Sequence, residues 1–166
     1  MATHYNPRPE DGWVKVFRHY SGNGAYFSSA NSWAEAKNTN PSNPNADKFS
    51  ILDRLEPIRI SNGGILTLKI VYPTLSLTNI WYQTSNPVLS TVGSSGVTGY
   101  QAISIQTTAN GWGGLEYDGT STFLDGTVNS GNWYYAVGAA TAWGGTNTFP
   151  GPSAATNLVE LWAKIR

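Results

Sequence analysis

The sequence predicts an all-β protein, an antiparallel β-sandwich or jelly roll with one or two short helices in its N-terminal third. Three observations predict it. Apolar and polar residues alternate over Trp13–Tyr20 and Ile65–Tyr72, which is the period of a half-buried strand. Clusters of Gly, Asn, Ser and Pro punctuate such runs, as turns do. The 166-residue chain draws its polarity from Ser, Thr, Asn and Gly, since charged residues make up only 12% of it.

Residues 1–12 hold Pro7, Pro9 and Gly12 and read as an arm or linker, leaving 13–166 as one β-sandwich domain. Trp13–Tyr20 is the first strand, with Val14 and Val16 on one face and His19 on the surface. Ser32-Trp33-Ala34-Glu35 fits a capping box, so a short helix is expected over 32–37. The Asn/Pro/Ser-rich stretch 38–47 is a loop. A second helical turn is expected from Phe49 to Leu55, ending at Pro57. In the strand from Ile65 to Tyr72, Leu66, Leu68 and Ile70 share the buried face, and Thr67 and Lys69 the other. Further strands are expected at 79–83, 100–107, 115–117, 133–137 and 159–165. Trp81 and Tyr82 face opposite ways, so only one of them is buried.

Composition excludes several functions. Net charge is zero and no basic block is present, so nucleic acid is not an expected partner. There is no cysteine, hence no disulfide and no thiolate metal site. No apolar run is long enough to span a bilayer, and no signal peptide is visible. Two histidines, no Gly-x-Ser-x-Gly elbow and no phosphate-cradling loop argue against a nucleophilic triad, a zinc site and a nucleotide site. No catalytic residue, metal or cofactor is therefore expected. The carboxylates Glu116, Asp118 and Asp125 are the residual catalytic candidates. Glu116 and Asp118 point the same way on a strand, yet Asp118-Gly119 and Asp125-Gly126 are also ordinary turn dipeptides.

The seven Trp and nine Tyr are more informative. Indole and phenol faces match the C–H face of a pyranose, while amides and carboxylates bond its hydroxyls. Three stretches mix these types: 79–87, 110–114 and 143–149. They nominate Trp81, Gln83, Asn86, Trp112, Glu116, Asp118, Trp143 and Asn147 as ligand-binding residues, with Trp112 and Trp143 in glycine-flanked loops. Trp13, Trp33, Trp133 and Trp162 lie in patterned elements and read as core or core-edge. The three stretches are expected to converge at one end of the sandwich around a neutral sugar.

Two resemblances add to this. Asp11–Arg18, Tyr26-Phe27 and Trp33–Lys37 resemble the opening of fibrinogen-like lectin domains, whose cysteines and calcium loop are missing here, so that family's sites are not carried over. Residues 81–87, 114–117, 124–126, 133–138, 150–152 and 159–162 resemble a cysteine-free β-sandwich module at the tips of secreted, surface and phage-type fibre proteins. That resemblance implies an extracellular, cell-surface or virion-surface adhesin that binds a surface glycan, often as a homotrimer. The alternatives are a structural or oligomerisation module, and a carbohydrate-active enzyme using Glu116 with Asp118 or Asp125.

Overall fold

The computed structural model describes residues 11–30, 32–89 and 96–165. The arm expected at 1–12 lies almost wholly outside them. The fold is strand-dominated and antiparallel. The described residues form ten strands, β1 (Trp13–Tyr20), β2 (Lys48–Ser50), β3 (Leu66–Tyr72), β4 (Leu77–Gln83), β5 (Gln101–Ile105), β6 (Trp112–Tyr117), β7 (Leu124–Thr127), β8 (Phe149–Pro150), β9 (Ala155–Thr156) and β10 (Leu158–Lys164). Six of them make one sheet in the order β2-β1-β10-β3-β4-β5. β6 pairs with β7 and β8 with β9 as separate two-stranded ribbons. Among the described residues the layer facing the sheet is thus made of ribbons and irregular chain rather than a second broad sheet.

β3 shows how alternation builds the two faces. Leu66, Leu68, Ile70 and Tyr72 are buried, while Thr67, Lys69 and Val71 are half-buried on the other side. Across the sheet, Leu68 lies beside Ala163 of β10 and Trp81 of β4, both buried. Trp81 is buried and Tyr82 is not, as alternation requires. β10 repeats the pattern, with Val159, Leu161 and Ala163 inward and Glu160, Trp162 and Lys164 outward.

In β1 the alternation is interrupted. Lys15 pairs with Trp162 but Phe17 pairs with Leu161, so Val16 is an extra residue in a bulge. The bulge puts Val16 and Phe17 side by side in the core and turns His19 inward. His19 is therefore not a surface residue. It is fully buried, stacked 4.8 Å from Phe149 and edge-on to Phe27. Its Nε2–H donates to the Ala25 carbonyl at 2.8 Å. Burial pushes its pKa down to about 4, so the ring is neutral at pH 7.

The helices differ from expectation in instructive ways. α1 (Trp33–Lys37) forms, but Ser32 makes no side-chain cap. Glu35 instead accepts from the Ser28 amide and hydroxyl and from Lys48, so tertiary partners displace the capping box. The second helix comes later. Residues 48–50 are β2, a 3-10 turn follows at Leu52–Arg54, and α2 spans Leu55–Ser61. Pro57 sits in the first turn of α2, where its missing N–H would have had no intrahelical partner anyway, so it starts the helix instead of ending it. The strand expected at 133–137 is absent. Tyr135 has a left-handed backbone (φ 59) that breaks the pleat. Its ring is buried, and its hydroxyl donates to the Ala109 carbonyl at 2.6 Å. These anchors hold the strained residue in place.

Leu68→Ala should cost roughly 2–5 kcal/mol in urea unfolding, the range for a buried leucine, and Lys69→Ala much less. Equal losses at the two positions would contradict the register.

Candidate functional site

The inner face of the sheet is sealed and the outer face is open, and the outward side chains form a patterned surface. Register places Lys15, Trp162, Lys69, Ile80 and Ser104 in one line across five strands. Trp13 pairs with Lys164 on one side of that line, and Thr67, Tyr82 and Gln101 continue it. Arg18, Glu160, Val71 and Thr78 flank the other side. Aromatic and β-branched residues suit these cross-strand neighbourhoods.

Cations and indoles alternate here. Lys69 Nζ lies 4.7 Å from the Trp13 ring centre and 5.1 Å from that of Trp162. Lys164 Nζ is 5.3 Å from Trp13, and Lys15 Nζ is 5.4 Å from Trp162. Each contact falls within cation–π range and lets a long side chain lie along an aromatic ring. Glu160 meets Lys15 at 3.1 Å and Arg18 at 3.8 Å. Lys15 and Arg18 also donate to the carbonyls of Pro44, Asn45 and Ala46, so the 38–47 loop folds over the β1 corner of this face. Trp13, Trp162 and Tyr82 stay half-buried.

The expected binding residues are distributed differently. Trp81 is fully buried, and Trp112, at 9% exposure, stands edge-on to it with centroids 4.7 Å apart. Trp112 also packs 4.8 Å from Tyr135, and its Nε1–H donates to the Tyr100 hydroxyl. A Cβ at Gly126 would come within 2.7 Å of the Trp112 ring, so that glycine makes room for it. Trp81 and Trp112 are therefore core residues, not a ligand platform. Gln83 is buried too. Its Oε1 accepts from Trp81 Nε1 at 2.8 Å and from the Leu115 amide at 3.0 Å, and its Nε2 donates to the Leu115 and Ser85 carbonyls. The amide acts as a strand partner for β6 and has no spare capacity for a ligand.

The first two stretches meet in the core through Trp81 and Trp112, but the three do not converge at one end of the sheet. Asn86 lies past the end of β4, donates to Glu56 of α2 and accepts from the Val88 amide. Arg59 holds the same Glu56 in a two-pronged pair. This lining, with Thr84, Ser85 and Leu89, makes a shallow cavity of about 320 Å³. Asn147 sits beyond the opposite end of the sheet, near Ser21 and Gly22, where Ser21 Oγ donates to its carbonyl. Trp143 is half-buried, edge-on to Tyr134 at 5.4 Å.

Glu116, Asp118 and Asp125 do come together. Glu116 and Asp125 are directly opposite on β6 and β7, and Asp118 follows two residues on. Glu116 Oε1 accepts from the Asn129 amide at 2.8 Å, while Oε2 and both Asp125 oxygens lack partners in good geometry. Asp118 is spent on its own turn, accepting from Thr120 and Ser121. Burial, then the charges of Asp118 and Glu116, push Asp125 up to about 9, and burial also raises Glu116. Asp125 is thus a neutral acid at pH 7. Glu116 and Asp125 are 2% and 1% exposed, so no sugar fits between them without opening the hairpin. Among the described residues no group of three acidic or histidine side chains is arranged to hold a metal, and no helix is long and apolar enough to cross a membrane.

Trp13 and Trp162, expected in the core or at its edge, lie half-buried at outward positions of β1 and β10. The parity of β10 carried the signal, since Glu160 and Lys164 share the side of Trp162 while the apolar residues take the other. No protein-family model, curated protein or solved structure matches the chain significantly.

Two outcomes follow from this geometry. Trp112→Ala should lower the melting temperature sharply, at a cost of about 3–5 kcal/mol as for other buried aromatics. The folded state holds the Asp125 proton to about 9 against an ordinary 3.8, so the stability tied to it is complete below the lower value and lost as pH rises through the upper. Melting scans from pH 7 to about 10 should show the parent losing stability and Asp125→Asn losing markedly less. Parallel curves would contradict a buried, protonated Asp125.

Proposed function

We propose that the chain is a non-catalytic glycan-recognition module whose binding platform is the outer face of the six-stranded sheet. The observation that carries this reading is the pair of half-buried, outward-facing indoles, Trp13 and Trp162, set on adjacent strands of the sheet with Lys69 against both rings. Flat aromatic faces take the apolar side of a sugar ring, and the Thr67, Thr78, Gln101 and Ser104 side chains on the same face supply hydroxyl and amide partners. The scaffold reads as an irregular sandwich, in which ribbons and loops replace the second sheet. Low charge, abundant Ser, Thr and Asn, and the absence of cysteine suit an adhesin displayed on a cell or virion surface. The carboxylates of β6 and β7 are sealed, which favours binding over hydrolysis.

A second reading, an oligomerisation module, is favoured by β5. Among the described residues no strand pairs with its outer edge, and Ile103 is 54% exposed there. An unprotected edge of this kind is a template for pairing with another chain, including the partners of a homotrimer.

The test is a glycan array followed by titration calorimetry. Trp162→Ala should weaken binding by about 1–3 kcal/mol, as truncated aromatic anchors do, with little change in melting temperature. Trp143→Ala should bind like the parent. Loss of binding in Trp143→Ala alone would move the site to the loops. A blank array, together with a concentration-dependent trimer dissociated by Ile103→Lys, would favour the second reading.

A further inference from the structure

One corner of the fold is held by a buried imidazole. His19 lies on β1 opposite Lys48 of β2 and Val159 of β10, and is fully buried. Its ring stacks on Phe149 of β8 and meets Phe27 and Tyr26 edge-on, at 5.2 and 5.8 Å. Nε2–H donates to the Ala25 carbonyl, which leaves Nδ1 as the acceptor nitrogen, without a partner among the described residues. The two segments against this ring are irregular chain. Residues 21–27 are tied down through the amides of Ser21, Gly24 and Phe27. The 143–149 loop is closed on itself by Trp143 and Thr148. Ser21 Oγ and the Tyr26 hydroxyl join the two segments by donating to the carbonyls of Asn147 and Thr148. Sparse backbone bonding of this kind marks chain that opens locally, and the His19 ring is the peg that both segments share.

We propose that His19 is an acid-sensitive latch, whose protonation at Nδ1 releases residues 21–27 and 143–149 from the sheet and bares the aromatic surface of Tyr26, Phe27 and Phe149. An imidazolium has two N–H donors, and the closed corner offers it one acceptor. The surrounding charges do not compensate. Lys48 of β2 and Arg18 of β1 repel the cation, and Asp47 attracts it less than Lys48 repels it. Glu35 of α1 is engaged by Lys48. Residues 21–27 and 143–149 carry no charged side chain. Burial is the largest effect, and it holds the ring to about 4 against an ordinary 6.5. The open corner therefore takes up a proton before the closed one does. Closure is complete above the upper value and weakens as pH falls towards the lower. The latch is independent of what the outer sheet face binds.

The experiment is hydrogen–deuterium exchange read by mass spectrometry on the intact chain at about pH 7.5 and about pH 5, corrected for the intrinsic pH dependence of exchange. The opening constant of 21–27 and 143–149 should rise about thirtyfold between the two conditions, while β3 and β10 stay unchanged. Stopping at about pH 5 keeps ordinary carboxylates charged. In His19→Phe, which keeps a ring and cannot titrate, the rise should vanish. If that variant melts early, NMR titration of the imidazole in a His4→Gln background, which leaves one histidine, decides the matter. A native value near 4 supports the latch, and one near 6.5 overturns it. Equal acceleration along the whole chain would overturn it, since the loss would be global. Acceleration confined to β6 and β7 would overturn it in favour of Glu116 and Asp125. So would an acid response that His19→Phe retains.

Discussion

The side chain of Gln83 joins the two layers of this protein. It lies at the last position of β4, fully desolvated, and accepts and donates at once to the Leu115 backbone of β6. A buried amide left without partners costs on the order of 1–3 kcal/mol, so the β6–β7 ribbon is held where those bonds are made. The same oxygen receives the Trp81 indole N–H, which fixes that ring beneath Trp112. From there the aromatic packing runs to Tyr135, whose left-handed backbone turns the chain out of any strand. One face of the sheet is thereby closed by irregular chain pinned at a few polar points. The other face is left with nothing from the described residues over its centre.

This asymmetry explains the use of the aromatics. Inward rings are large, buried and placed by partners: Trp81 by Gln83, Trp112 by Tyr100, Tyr135 by Ala109, and His19 by Ala25. Outward rings on the sheet lie among cations instead. The carboxylates show the same contrast. Glu160 on the open face pairs with Lys15 and Arg18, whereas Asp125 under the hairpin has no cation and keeps its proton. A hairpin with a neutral acid at its centre and sealed flanks leaves no room for a sugar between its carboxylates.

Much of the scaffold was legible in the sequence because alternation is a local signal. β3 read correctly down to the facing of Leu66, Thr67, Leu68, Lys69 and Ile70, β10 read correctly as a strand, and the opposite facing of Trp81 and Tyr82 followed from alternation. The failures have non-local causes. The bulge at Val16 depends on the pairing of β1 with β10, so His19 could not be placed inward from its own neighbours. Glu35 left the capping role for Lys48, which lies on another element. Trp112 looked like a loop aromatic because glycines flank it, yet Gly126 is the glycine that opens space for its ring. Binding residues were harder still. Composition pointed to aromatics beside amides, but Gln83 and Trp81 satisfy each other, and Asn86 and Asn147 stand at opposite ends of the sheet.

The central claim is that the open sheet face, and not the loop aromatics, meets the ligand. Hydroxyl-radical footprinting read by mass spectrometry tests it directly, with and without a glycan identified on the array. Trp13 and Trp162 should be oxidised in the free protein and protected on binding, while Trp81 and Trp112 stay unreactive in both states. Protection confined to Trp143, with Trp13 and Trp162 unchanged, would contradict the account.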